Sequence, residues 1–248
     1  MKMTGEAKFF IAIGVLVLVG VGFLFATSAR PPSGPGATPA AAPTPTALTA
    51  ALVDELYAEA RHTKGDKNAA LTIVEFADLE CPNCRRAYAD TVKDIEKKLP
   101  TKFAFYHLPL EMHPRAVPAA TALESAAKQG KFWEMYAELF DQKSEPLTDE
   151  VFEAAAKKIG LDVAKFKTDL AADDVLSAVY KDRDHATEHN INTTPTFLVK
   201  DKNGAVTSVA GAGAFAELFK DLQDGAITAK PAGAPPAGAP PAGAPPAP

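Results

Sequence analysis

The sequence predicts an α/β domain: one sheet flanked by helices, with a strand–helix–strand half and a strand–strand–helix half separated by a helical insertion. Three observations predict it. "ALTIVEFAD" (70–78) and "KFAFYHLPL" (102–110) are apolar and β-branched enough to be strands on either side of a helix. From about Arg115 to Glu188 the text is helical throughout. Then "TPTFLVKD" (194–201) and "AVTSVAG" (205–211), joined through Asn203-Gly204, read as a hairpin followed by the helix "GAFAELFKDLQDG" (213–225).

The remaining elements follow from helical spacing and its punctuation. "LTAALVDELYAEAR" (48–61) predicts a first helix. Beyond Pro82, the residues Cys84, Tyr88, Thr91, Ile95 and Leu99 share one helical face, which predicts a continuous helix stopped at Pro100. In the insertion, about 115–190, "AVPAATALESAAKQG" ends at Gly130 and "KFWEMYAELFDQ" follows it. "LTDEVFEAAAKKIG" opens at Thr148 and closes at Gly160, and two further helices run to Asn190.

Prolines crowd both ends of the 248 residues, leaving one ordinary domain between them, about 48–227. Residues 9–26, "FFIAIGVLVLVGVGFLFA", carry no charge and follow Lys2 and Lys8. Such a run reaches about 27 Å as a helix, close to the hydrocarbon thickness of a bilayer. A secretory apolar core is usually shorter, so a retained single-pass anchor is the expectation, with 1–8 cytoplasmic; "TSA" (27–29) leaves cleavage open. Both outcomes export the domain. Residues 27–47 read as a Pro/Ala-rich spacer, and 228–248, built on repeated "PAGAP", as a disordered or polyproline tail. A net charge of −5 with no basic, aromatic-interleaved stretch argues against nucleic-acid binding.

Chemistry concentrates in "ECPNC". Cys81 and Cys84 are the only cysteines, so in an exported chain they cannot staple distant segments. Pro82 suits the first position of a helix, which makes Cys81 its N-cap, facing unpaired N–H groups that favour a thiolate. Cys81 is then the exposed sulfur that forms mixed disulfides, and Cys84, one turn in, the resolving one. Glu80 opposes the thiolate while Arg85 and Arg86 support it, a balance that side-chain directions decide.

Glu75 lies six residues before Cys81 in an otherwise apolar strand. It is either a proton acceptor for Cys84 or an edge residue facing solvent. Pro195, directly before a strand, marks an edge, a turn or a cis bond; a cis bond would expose the Thr194 backbone beside the cysteines.

"IVEFADLECPNCRR", "GKFWEMYAELFDQ" and "TTPTFLV" together resemble the DsbA-like family of thiol:disulfide oxidoreductases, in particular its membrane-anchored, single-domain branch. The resemblance covers about Gly65 to Gly225 and implies a thioredoxin-like fold. It implies that Cys81 and Cys84 are the redox pair, that Pro195 is the family's cis-proline with Thr194 contacting substrate backbone, and that Glu75 transfers protons. The departure is Pro82-Asn83, where the best-known oxidases carry Pro-His; Asn83 brings a hydrogen bond and no charge.

Other side chains are less telling. His185 and His189 stand four apart on a helix, a metal-compatible spacing, but without finger-like partners they read as surface residues. His107, His113 and Trp133 read as packing and loop residues. No phosphate loop, nucleotide fingerprint or serine-nucleophile motif is present, so neither organic cofactor nor metal is expected beyond the Cys81–Cys84 disulfide itself. The expectation is a monomeric envelope oxidoreductase forming disulfides in exported cysteine-containing proteins and recycled by a membrane partner. A reductase or isomerase, or a copper or zinc carrier using the cysteines, are the alternatives.

Overall fold

The computed structural model describes residues 48–142 and 146–225. The apolar run 9–26, the spacer 27–47 and the tail 228–248 lie outside these residues. Among the described residues, no helix is long and apolar enough to cross a membrane.

All seven residues of the strand Leu71–Ala77 are buried, so this strand must lie inside the sheet with both faces covered. The elements, in order, are α1 (Ala50–Glu59), β1 (His62–Gly65), β2 (Leu71–Ala77), α2 (Pro82–Asp90), a 3₁₀ turn (Val92–Asp94) and α3 (Ile95–Lys98). They continue with β3 (Thr101–His107), α4 (Ala116–Ala127), α5 (Phe132–Phe140), α6 (Asp149–Lys158), α7 (Val163–Leu170) and α8 (Asp173–Glu188). β4 (Thr196–Lys200), β5 (Val206–Ala210) and α9 (Ala212–Gln223) complete the domain. The sheet order is β1-β3-β2-β4-β5, with β2 parallel to β3 and the other pairs antiparallel. This is the thioredoxin-like arrangement with the expected helical insertion.

Alternation along the strands sorts the side chains into two cores. Ile73, Ala77, Phe103, Phe105, Phe197 and Val199 face α2, the insertion and α9. Val74, Phe76, Ala104, Tyr106 and Leu198 face Leu52, Val53 and Leu56 of α1. In the insertion, the alanine-rich α4 lets neighbours approach closely and packs against α5, α7 and α8.

A buried polar cluster ties the insertion to the sheet. His62 and His107 both bring Nε2 to Glu124 Oε1, at 2.8 and 3.1 Å. Arg61 reaches Glu124 Oε1 at 3.2 Å and Asp182 Oδ2 at 3.0 Å. Burial opposes ionisation of Glu124, but the hydrogen bonds from His107 and His62 outweigh it and hold the carboxyl well below its usual range. His107, expected only to pack, is thus part of a structural ion network.

Two local expectations are corrected. The helix after Cys84 does not run unbroken to Leu99: Thr91, with φ −137° and ψ −57°, leaves helical geometry, and the chain resumes as a 3₁₀ turn and α3. Ile95 still reaches the core, so apolar spacing survived the break. The edge strand β1 was not anticipated, because "HTKG" is short, polar and only half-buried. It ends at Gly65, whose φ of +90° only glycine tolerates well. A Cβ there would overlap the Thr101 carbonyl oxygen, which is held by the Asp66 N–H at 2.9 Å. Gly65→Ala is therefore expected to lower stability by roughly 2–4 kcal/mol. Urea denaturation should show a lower midpoint at unchanged slope.

Candidate active site

The site forms where β2 ends and α2 begins. Pro82 occupies the first turn of α2 and Cys81 is its N-cap, with φ −67° and ψ 122°. Cys81 retains 6% of its surface and Cys84 none; both are free thiols. The Cys81 N–H donates to the Asp78 carbonyl at 3.1 Å, closing the turn between strand and helix. Across the site, the Thr194–Pro195 bond is cis, and the Cys81 thiol donates to the Thr194 carbonyl oxygen at 3.6 Å.

These surroundings separate the two thiols. Cys81 is lowered to about 5, chiefly by a hydrogen bond from the Cys84 thiol; burial opposes this, while the Thr194 side chain and the N–H groups of Cys84 and Asn83 add to it. Cys84 is pushed well above the ordinary thiol range by burial first, then by its hydrogen bond to Cys81 and the charge there; the Asp78 N–H, 3.4 Å from Cys84 Sγ, partly offsets the rise. The arginines do not carry the effect. Arg85 donates to the carbonyls of Leu79 and Gln142, and Arg86 pairs with Asp90. Glu80 Oε2 accepts the Arg115 N–H.

Glu75 is not an edge residue. β2 lies between β3 and β4, and the alternation that places Ile73 and Ala77 toward α2 places Glu75 there too. It is fully buried, its Oε2 accepts from the Tyr136 hydroxyl at 2.7 Å, and its Oε1 has no hydrogen-bond partner among the described residues. Burial pushes its carboxyl up to about 7, moderated by Tyr136 and by the positive charge of Lys64. Lys64 stands over the rings of Trp133 and Phe103, at 4.9 and 5.1 Å.

Sequence reasoning missed Tyr136, Lys64, Asp78 and His113. Asp78 is buried; its Oδ1 accepts the Glu80 N–H at 2.8 Å, and its Oδ2 accepts the Leu110 N–H at 2.9 Å and meets His113 Nδ1 at 2.7 Å. It thereby clamps the loop after β3 to the cysteine turn. Burial disfavours charge on His113, but the hydrogen bond and charge of Asp78, with the charges of Cys81 and Glu80, hold it above the usual histidine range. His113→Gln is expected to raise the Cys81 pKa by less than one unit, read from the pH dependence of alkylation.

A strand-to-helix turn with an N-cap cysteine, a buried partner cysteine and a cis-proline loop beside them is the arrangement of the thioredoxin-like fold, which thiol–disulfide oxidoreductases share. Residues 58–212 match the thioredoxin family, and the chain belongs to it. A thioredoxin-like oxidoreductase from Silicibacter pomeroyi DSS-3 is 26% identical, with a TM-score of 0.58 over 69% of this chain and 96% of that one. The thiol-disulfide exchange protein α-DsbA2 from Wolbachia pipientis shares the fold at 18% identity and a TM-score of 0.59, over 71% and 92% of the two chains. A Na(+)/H(+) antiporter, NhaA 1 of Mycobacterium sp. (strain KMS), is 38% identical over 165 residues, covering 64% of this chain. That match spans about a quarter of the antiporter, 26%, and nothing of ion transport is carried over from it.

Proposed function

We propose that this chain oxidises cysteine pairs in exported proteins, with Cys81 as the exchanging sulfur, Cys84 as the resolving one and Glu75 as the proton-transfer group. A substrate thiolate attacks Sγ of Cys81 in the oxidised pair; the Cys81–Cys84 bond breaks, Cys84 leaves and takes a proton from Glu75. A second substrate thiolate then attacks the substrate sulfur of the mixed disulfide and expels Cys81 as a thiolate. The substrate gains one disulfide, and its two electrons remain on the reduced pair. Thr194, just before the cis Pro195, presents backbone to an extended substrate segment. Pro82 and Asn83 tune the pair, Pro82 by starting the helix and Asn83 through its N–H.

The observation that carries the direction is the low pKa of Cys81. At pH 7 a thiol at about 5 is roughly 100-fold richer in thiolate than one at 9.0, but lower basicity reduces its nucleophilicity about 40- to 100-fold. Attack gains almost nothing. The benefit falls on Cys81 as leaving group and on the equilibrium, both of which favour handing the disulfide to substrate. An exported location, a membrane anchor in residues 9–26, recycling by a membrane partner and action as a monomer belong to the same proposal. The test is transfer: stoichiometric oxidised protein should form the disulfide in a reduced two-cysteine peptide within minutes, and failure to transfer refutes the reading.

A further inference from the structure

The last turn of α8 carries three side chains that the redox site does not use: His185, Glu188 and His189. Spaced i, i+3 and i+4, they share one helical face, and their ligand atoms all lie within 4.8 Å of one another. Glu59, at the end of α1, places Oε2 3.9 Å from His185 Nδ1, beside the three-residue cluster and outside it. His189 Nδ1 is shut off from solvent and has no hydrogen-bond partner among the described residues. The turn is also a helix C-terminus, whose last carbonyls favour a cation. It is closed by Asn190 at φ 57°.

We propose that this turn binds a zinc-type divalent cation, with His185 and His189 as nitrogen ligands, Glu188 as oxygen ligand, and Glu59 or water completing the shell. Bonds of about 2.0–2.2 Å at tetrahedral angles put ligand atoms roughly 3.4 Å apart. The ligand atoms, within 4.8 Å of one another, would have to draw together by up to about 1.4 Å on binding. His185 is already held against the Tyr106 ring, centroids 5.4 Å apart, so part of its ordering cost is met in the fold. The other three-ligand cluster among the described residues, His107, Glu124 and Asp182, differs: the Arg61 guanidinium already sits on both its carboxylates, so its cation is built in. Sequence reading set His185 and His189 aside for want of finger-like ligand spacing; Glu188, on the same turn, supplies the third ligand atom. A bound cation would pin α1 to α8 just before the loop that leads to Thr194 and Pro195.

The test uses the full chain without a polyhistidine tag, oxidised so that Cys81 and Cys84 are joined and removed as ligands, and titrated with ZnCl2 by calorimetry. The expected result is one Zn2+ per chain, with affinity reduced about tenfold or more in His185→Ala and separately in Glu188→Gln. Glu188 is exposed, so its substitution leaves folding intact and keeps the test independent of any damage at His185. Absence of binding, or binding unchanged by both substitutions, overturns the proposal.

Discussion

Cys84→Ala should convert the protein from a catalyst into a trap, accumulating mixed disulfides through Cys81, whereas Cys81→Ala should abolish exchange. The asymmetry follows from burial: Cys84 has no exposed surface, so it cannot meet a substrate sulfur, while Cys81 can. Without Cys84 no oxidised pair can form, but the Cys81 thiolate still attacks a substrate that already carries a disulfide; the mixed disulfide so formed lacks the Cys84 thiol that would release it in the reverse direction, and it persists. The same substitution removes the largest contribution to the low Cys81 pKa, the hydrogen bond from the Cys84 thiol. Cys81 in Cys84→Ala should therefore titrate well above 5, while Cys84→Ser, which keeps a donor, should restore much of the depression. Alkylation rates against pH distinguish these outcomes. A Cys84→Ala thiol that still titrated near 5 would remove the hydrogen bond from the account.

Glu75→Gln should raise stability at alkaline pH and slow turnover. The folded-state pKa lies near 7 against an ordinary 4.5, so the buried acid is favoured while protonated. Its contribution is fully present below 4.5 and is lost as pH rises through 7. The shift of about 2.5 units corresponds to roughly 3 kcal/mol between those limits, as an order of magnitude. Glutamine keeps an oxygen for the Tyr136 hydroxyl but cannot ionise, so the stability of Glu75→Gln should vary less with pH. Denaturation of the oxidised forms from pH 4.5 to 8.5 measures this without interference from Cys81. Turnover should fall about tenfold to a hundredfold if Glu75 moves the Cys84 proton as proposed. Equal pH dependence in the two proteins would contradict the buried-acid account.

Much of this architecture was legible because it is local. The period of β2, the insertion helices and the hairpin at Asn203-Gly204 each carry their own pattern; Asp201 secures that hairpin by accepting from the Asn203 and Ala205 N–H groups. Pro82 places Cys81 at a helix start by backbone chemistry alone. What was not legible depends on long-range pairing. The direction of Glu75 became decidable only with β3 and β4 on both sides of β2, and Tyr136 reaches it from 61 residues away. The Asp78–His113 contact joins a turn to a loop 35 residues on. The break at Thr91 escaped notice because apolar spacing continues through it, and β1 because three half-buried polar residues and an exposed glycine carry no period.

In the proposed oxidation, the folded site favours the reduced, thiolate form of Cys81 and so would drive disulfides outward to substrate. Equilibrating the Cys81–Cys84 pair with glutathione at pH 7 measures it directly. The expected potential lies far above the roughly −270 mV of thioredoxin and toward the roughly −120 mV of the strongest oxidants in this class. A value at or below that of thioredoxin would contradict it and assign the chain to reduction instead.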